Sequence, residues 1–161
     1  MNSETNNTTA LNEPNQPDKS VFILKTKIED MMSYGYKQVR QFSWRDKEIA
    51  AEIKESLFKM YRLVIDIEKS YYKKTTLQDL DKELAILRHF VRFASNKDNF
   101  DDKVPKKDKK TGETVRNANG EVVFVQVAPP LSFRKYEVWT NMLREIGKLI
   151  GGYMHYAKSI K

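Results

Sequence analysis

The sequence contains no cysteine among its 161 residues. Disulfide bonds, cysteine-ligated zinc sites and thiol chemistry are therefore excluded, and the absence fits a reducing cytosol. No apolar run approaches the roughly 20 residues that a membrane-spanning helix needs. The first residues are polar and lack the apolar stretch of a signal peptide. We therefore expect a cytoplasmic protein with no membrane partner.

Carboxylates are also in short supply relative to cations. The chain has 29 lysines and arginines against 22 aspartates and glutamates, which gives a net charge of +7 and a sequence pI of about 9.4. Such an excess favours nucleic acid, anionic surfaces or acidic proteins as partners. A basic protein without any polyanionic partner has the same composition, so charge alone does not decide. With 40% apolar residues, a chain of this length can bury the core of one domain.

Four segments carry apolar residues at helical spacing. The predicted helices span residues 20–42, 44–73, 76–96 and 132–158. Residues 1–19 hold a single large aliphatic side chain, too little to offset the entropy of ordering, so we predict a disordered polar tail. Ser20 is the expected N-cap of the first helix. Gly35 weakens that helix by roughly 1 kcal/mol relative to alanine, but it also allows close contact with another helix. We predict that residues 20–161 form an all-α, antiparallel four-helix bundle.

Residues 97–131 differ from the rest of the chain. Lys103–Lys110 reads KVPKKDKK, with five lysines and one aspartate. Asn119 and Gly120 together are typical of a hairpin turn, and Val122–Val127 favours a strand. We predict a flexible basic loop and a small β-hairpin inserted between the third and fourth helices. Within this loop, Lys106 and Lys107 are candidate contacts for a polyanion; a purely solubilising loop is equally compatible with the composition.

The third predicted helix has two apolar stripes. The first is typical of a bundle seam and comprises Leu77, Leu80, Leu84, Leu87, Val91 and Ala94. The second comprises Ile86, Phe90 and Phe93, well around the helix from the first. A helix with two apolar faces must bury both, so we predict that the second stripe is an interface between subunits.

Basic side chains of the third and fourth helices are candidate contacts for nucleic acid or a protein partner: Arg88, Arg92, Arg144, Lys148 and His155. The arginines and the lysine form two i,i+4 pairs, so each pair projects from one helix face. Like charges at this spacing repel each other modestly, and a polyanion would compensate for the repulsion. The alternative is salt bridging with Glu83, Glu145 or a neighbouring subunit.

The chain lacks the motifs of an enzyme. None of the glycines near the end of the fourth helix is followed directly by the Lys-Ser/Thr of a phosphate-binding loop. His89 and His155 have no carboxylate three or four residues before them, as a metal site in a bundle requires. No serine lies in a nucleophile elbow. We therefore predict no catalytic residue, no metal and no cofactor.

Two segments carry a family resemblance: ELAILRHFVRFAS (Glu83–Ser95) and LREIGKLIGGYMHYAK (Leu143–Lys158). Together they resemble the accessory variability determinant (Avd) proteins of diversity-generating retroelements. The resemblance extends through FILKTKIEDMMSYGYKQVRQF and EIAAEIKESLFKMYRLVIDIEKS, and covers about residues 20–96 and 131–158. The insertion at 97–131 departs from the shorter family pattern.

The resemblance implies a four-helix bundle related to the proteins encoded by ribosomal RNA intervening sequences. It also implies a homopentameric barrel that associates with the retroelement's reverse transcriptase and with template-repeat RNA or other nucleic acid. Such proteins support adenine-mutagenic cDNA synthesis, known as mutagenic retrohoming, and are not enzymes. The basic positions of the family fall on Arg88, Arg92 and Lys148. The alternative is an interaction bundle of the intervening-sequence type, with no reverse-transcriptase partner.

Overall fold

The computed structural model describes residues 17–70 and 73–159. Its four helices are α1 (Pro17–Val39), α2 (Lys47–Lys69), α3 (Lys74–Ser95) and α4 (Phe133–Ser159). Two short strands, β1 (Lys103–Pro105) and β2 (Phe124–Gln126), lie between α3 and α4. The four predicted helices and the β-structure inserted after the third are confirmed. Residues 1–16, which make up most of the predicted disordered tail, lie outside the described residues.

Helix α1 begins earlier than the sequence pattern predicts. Its first residue is Pro17, so Ser20 lies inside the helix and the prediction that it is the N-cap is wrong. Proline suits the first helical position because its missing N–H would have no intrahelical partner there. Residues 17–19, predicted as the end of the polar tail, are therefore helical.

Helices α1 and α2 run antiparallel and share polar contacts. Lys25 Nζ lies 3.0 Å from Glu68 Oε2, which joins the start of α1 to the end of α2. This hydrogen bond lowers the pKa of the Glu68 carboxyl and raises the pKa of the Lys25 ammonium, because it favours both charged forms. Further along, Tyr61 Oη donates to Glu29 Oε1 at 2.9 Å, and this bond raises the pKa of the Tyr61 phenol.

Helix α4 lies against both α1 and α3. Tyr34 Oη donates to Lys135 O at 3.3 Å, and Lys27 Nζ lies 3.0 Å from Glu145 Oε1. Later residues of α4 thus meet earlier residues of α1, so these two helices are antiparallel. The contacts along α1 and its two neighbours have the pattern of an antiparallel helical bundle.

The core contact between α1 and α4 is centred on a tryptophan. Trp139 is fully buried, and its Nε1 donates to Met31 Sδ at 3.4 Å. The ring of Tyr34 meets the indole edge-on, with 6.2 Å between centroids. A Cβ added to Gly35 would lie 2.9 Å from Trp139 Cε2, closer than real side chains approach each other. The predicted close helix contact at Gly35 is confirmed, and the indole is its cause.

The first apolar stripe of α3 faces the core, as predicted. All six of its residues are buried: Leu77, Leu80, Leu84, Leu87, Val91 and Ala94. Ala94 also contacts the chain where it returns from the insertion, because Leu131 N donates a hydrogen bond to Ala94 O at 3.1 Å. Leu131 is itself fully buried, so the start of α4 is fixed beside the end of α3.

The insertion is more regular than the sequence predicts. Strands β1 and β2 pair antiparallel, with Val104 opposite Val125. Lys106 N donates to Val123 O at 2.8 Å, and Lys106 O accepts from Val115 N at 2.9 Å. The prediction of a flexible loop at Lys103–Lys110 is therefore wrong, because this segment is a strand that continues into hydrogen-bonded backbone.

Each turn of the insertion is closed by a side chain. Asp108 Oδ1 accepts from Thr111 N at 3.0 Å and from Lys110 N at 2.7 Å, and these bonds lower the pKa of the Asp108 carboxyl. The second turn contains Asn119 and Gly120, where Gly120 has a φ of +78°. The hairpin predicted from that dipeptide is confirmed by the bridge between Arg116 and Val122.

Candidate nucleic-acid and subunit interfaces

The arginine nearest the middle of α3 reaches across to α4. Arg88 Nη2 donates to Leu143 O at 3.0 Å, which uses one of the five N–H donors of its guanidinium. Gly147 provides the space for this contact, since a Cβ there would lie 2.5 Å from Arg88 Nη2. Arg88 remains exposed, so its guanidinium lies at the surface while the hydrogen bond to Leu143 O holds it in position.

Four of the predicted cations lie on the surface formed by α3 and α4. We call this surface the α3–α4 basic face; it comprises Arg88, Arg92, Arg144 and Lys148, all of which are exposed. The Arg88 contact to Leu143 places α3 directly beside the backbone that carries Arg144. Within the described residues, none of the four makes a salt bridge. The Arg144 contact to Asn141 Oδ1 is long, at 3.5 Å.

The carboxylates that the sequence offered as alternative partners are engaged elsewhere. Glu83 is buried and lies 3.2 Å from Lys59 Nζ of α2. Glu145 pairs with Lys27 of α1 at 3.0 Å. Neither carboxylate neutralises the α3–α4 basic face, so the intrachain salt bridges considered from the sequence do not account for its cations.

The remaining predicted basic residues do not join this face as one patch. His155 is exposed and lies two turns beyond Lys148, towards the end of α4. Lys106 and Lys107 belong to the insertion, which leaves the bundle at the start of α4. Lys107 Nζ also donates to Thr114 Oγ1 at 2.7 Å, within the insertion. His155 thus lies near the end of α4, whereas the two lysines belong to the segment of chain that precedes its start.

The second apolar stripe of α3 is only partly covered by the chain itself. Ile86 is 43% exposed and Phe93 is 48% exposed, whereas Phe90 packs partly against the core. The ring of Phe93 meets Phe100 edge-on, with 5.9 Å between centroids. The assignment of this stripe to a subunit interface stays a prediction.

The structure also contains a groove between α1 and α2 that the sequence patterns do not predict. It has a volume of about 590 Å³ and is lined by Glu29, Met32, Ser33, Tyr36, Phe58 and Tyr61. Tyr36 and Phe58 meet edge-on with 5.9 Å between centroids. Phe58 lies outside the core periodicity of α2, and that departure is the sequence signal for an exposed aromatic.

Two further features concern metals and membranes. No group of three histidine, aspartate or glutamate side chains suited to a metal ion occurs in residues 17–70 and 73–159. Over the same ranges, none of the helices has the length and apolar character required to cross a membrane.

Comparison with known proteins bears on the helices just described. A family model described as bAvd-like matches residues 22–113, which is more than half of the chain. The match includes most of α1, all of α2 and α3, and the first part of the insertion. No curated protein matches the chain.

Proposed function

The chain belongs to the bAvd-like family, and from this premise we propose that it binds a retroelement reverse transcriptase and its template-repeat RNA to support mutagenic cDNA synthesis. The family is one of accessory proteins. The proposed role in this chain is accordingly non-enzymatic: it holds the polymerase and the nucleic acid together.

The α3–α4 basic face supports this role. Four exposed cations lie on two adjacent helices without a salt bridge in the described residues, while the carboxylates Glu83 and Glu145 of the same helices pair with other lysines. Phosphate groups supply the missing negative charge, and their condensed counterions are released when lysine and arginine replace them. The net charge of +7 adds long-range attraction to a polyanion.

Arg88 is suited to such a contact because its position is fixed before any ligand binds. Its hydrogen bond to Leu143 O already restricts the rotamers of the side chain. Less conformational entropy is therefore lost when a ligand binds. The other N–H groups of the guanidinium match the geometry of phosphate oxygens. Arg92, one turn along α3, extends the same positive surface.

Co-purification tests this function. The tagged chain is expressed with the reverse transcriptase and template-repeat RNA encoded beside it, and all three are expected to elute together. Elution of the chain without either component would contradict the proposal. The interaction bundle of the intervening-sequence type is the competing candidate, and a gene neighbourhood without a reverse transcriptase and a template/variable repeat pair favours it.

We also propose that five copies assemble into a ring through the second apolar stripe of α3. Ile86 and Phe93 are large apolar side chains of one helix that are exposed in the single chain. Such exposure is expected of residues that a neighbouring subunit covers.

Replacing Ile86 and Phe93 with lysine is expected to convert the assembly to monomers. Both side chains are exposed, so the helix content measured by circular dichroism should persist while light scattering falls from five times 18.9 kDa to one. Phe22→Lys is the matched control, because Phe22 is 63% exposed but lies at the start of α1. A stable monomer of the unmodified chain at micromolar concentration would refute the assembly.

A further inference from the structure

The paired strands of the insertion carry an aromatic ring in a basic setting. Phe124 of β2 is 57% exposed and lies opposite Pro105 of β1. Because side chains alternate between the two faces of a strand, Phe124 shares a face with Pro105 and Lys103. Val104 and Val125 belong to the other face. One face of this ribbon therefore combines an exposed ring with a lysine on the adjacent strand.

The charge of the surrounding segment indicates what this face attracts. Between residues 103 and 116 there are six cations and two carboxylates. One of the carboxylates, Asp108, accepts two backbone hydrogen bonds in its own turn. A protein partner with an apolar surface would not require this excess of lysine, whereas a polyanion does.

Aromatic rings interleaved with lysines suit unpaired bases. Every base offers a π-face that stacks on a phenyl ring, and the phosphates on either side attract ammonium groups. A duplex keeps its bases stacked on each other and has no free face to offer along its length. An exposed phenylalanine on a narrow ribbon is therefore better suited to a single strand than to a duplex.

We propose that the β1–β2 ribbon binds single-stranded nucleic acid, with a base stacked on Phe124 and a neighbouring phosphate held by Lys103. This site is separate from the α3–α4 basic face and does not depend on a reverse-transcriptase partner. It also gives a role to the insertion, which the resemblance to the family left without one.

Fluorescence anisotropy of the full chain with a labelled oligouridine and with a labelled RNA duplex tests the site. Phe124→Ala is expected to raise the dissociation constant for the single strand about tenfold and to leave the duplex nearly unaffected. Phe124→Trp should retain affinity, and its indole emission should fall on binding. Phe22→Ala removes a similarly exposed ring, which lies near the start of α1 and not in the insertion, and is expected to change neither affinity.

Several results would overturn the site. One is that Phe124→Ala binds the single strand as tightly as the unmodified chain does. Another is that Phe124→Ala loses as much affinity for the duplex as for the single strand. A third is that Phe22→Ala loses as much single-strand affinity as Phe124→Ala. Absence of single-strand binding by the unmodified chain would do the same. Lys103→Ala adds an independent readout: it should lower the slope of log affinity against log salt by about one unit, and an unchanged slope would remove the phosphate contact. Failure of co-purification with the polymerase would leave all these results unchanged.

Discussion

Gly35→Ala is expected to lower the free energy of unfolding by about 2 kcal/mol, even though alanine is the better helix former. The added methyl group would enter the space of the Trp139 indole, and three indole atoms lie within 3.1 Å of the ideal Cβ position. The indole is fully buried, so it has no solvent-filled space into which to move. Thermal unfolding followed by circular dichroism measures the loss, which corresponds to roughly 4–8 °C in midpoint.

The chain supplies its own controls for this substitution. A Cβ on Gly151 meets nothing within 4 Å, so Gly151→Ala should raise stability by up to about 1 kcal/mol. At Gly147 the nearest atom is the far end of the Arg88 side chain, which must give up its hydrogen bond to Leu143 O to make room for a methyl group. Gly147→Ala is therefore expected to fall between the other two. Equal effects at all three glycines would contradict the packing account of Gly35.

Arg88→Glu combined with Arg92→Glu is expected to weaken RNA binding by about a hundredfold near physiological salt. The substitutions replace two cations of the α3–α4 basic face with carboxylates, and no salt bridge in the described residues compensates for the change. The slope of log affinity against log salt should fall by about two units, because two phosphate contacts are lost. Filter binding or anisotropy across a salt series gives both quantities.

A second charge reversal separates local contacts from net charge. Arg62 and Lys69 are exposed on α2, and changing both to glutamate alters the net charge by the same amount. This control should weaken binding only slightly. Arg92→Glu alone tests whether misfolding contributes, because the Arg92 side chain has no hydrogen bond within residues 17–70 and 73–159 that compares with the Arg88 bond to Leu143 O. Binding isotherms that stay unchanged across salt in the double variant would refute the role of these arginines.

The helical architecture was accessible from sequence because each core position follows a period that only one helix face satisfies. The α3 seam illustrates this, since Leu77 through Ala94 alternate at three and four residues and are all buried. The close contact at Gly35 was accessible for a similar reason: a glycine inside an apolar helical pattern needs a packing explanation. The sequence did not predict that an indole fills the space, because Trp139 lies 104 residues further along the chain.

The candidate site was less accessible because it depends on side-chain reach between helices. Periodicity placed Arg88 beside the apolar faces of α3 but carried no sign that Gly147 leaves room for its guanidinium on α4. The insertion was misjudged at Lys103–Lys110, where lysine content suggested a loop. Its order comes from backbone pairing with Phe124–Gln126 and from the turn at Asp108. Neither contact can be predicted from the lysine content of the segment.

Native mass spectrometry of the co-purified material shows whether this chain is an accessory subunit of a polymerase–RNA complex. We expect one species that contains the reverse transcriptase, its template RNA and five copies of the 18.9 kDa chain, and this species should be lost in the Arg88→Glu/Arg92→Glu variant. Recovery of the chain only as free protein, with the polymerase and RNA absent from every species, would refute the accessory role.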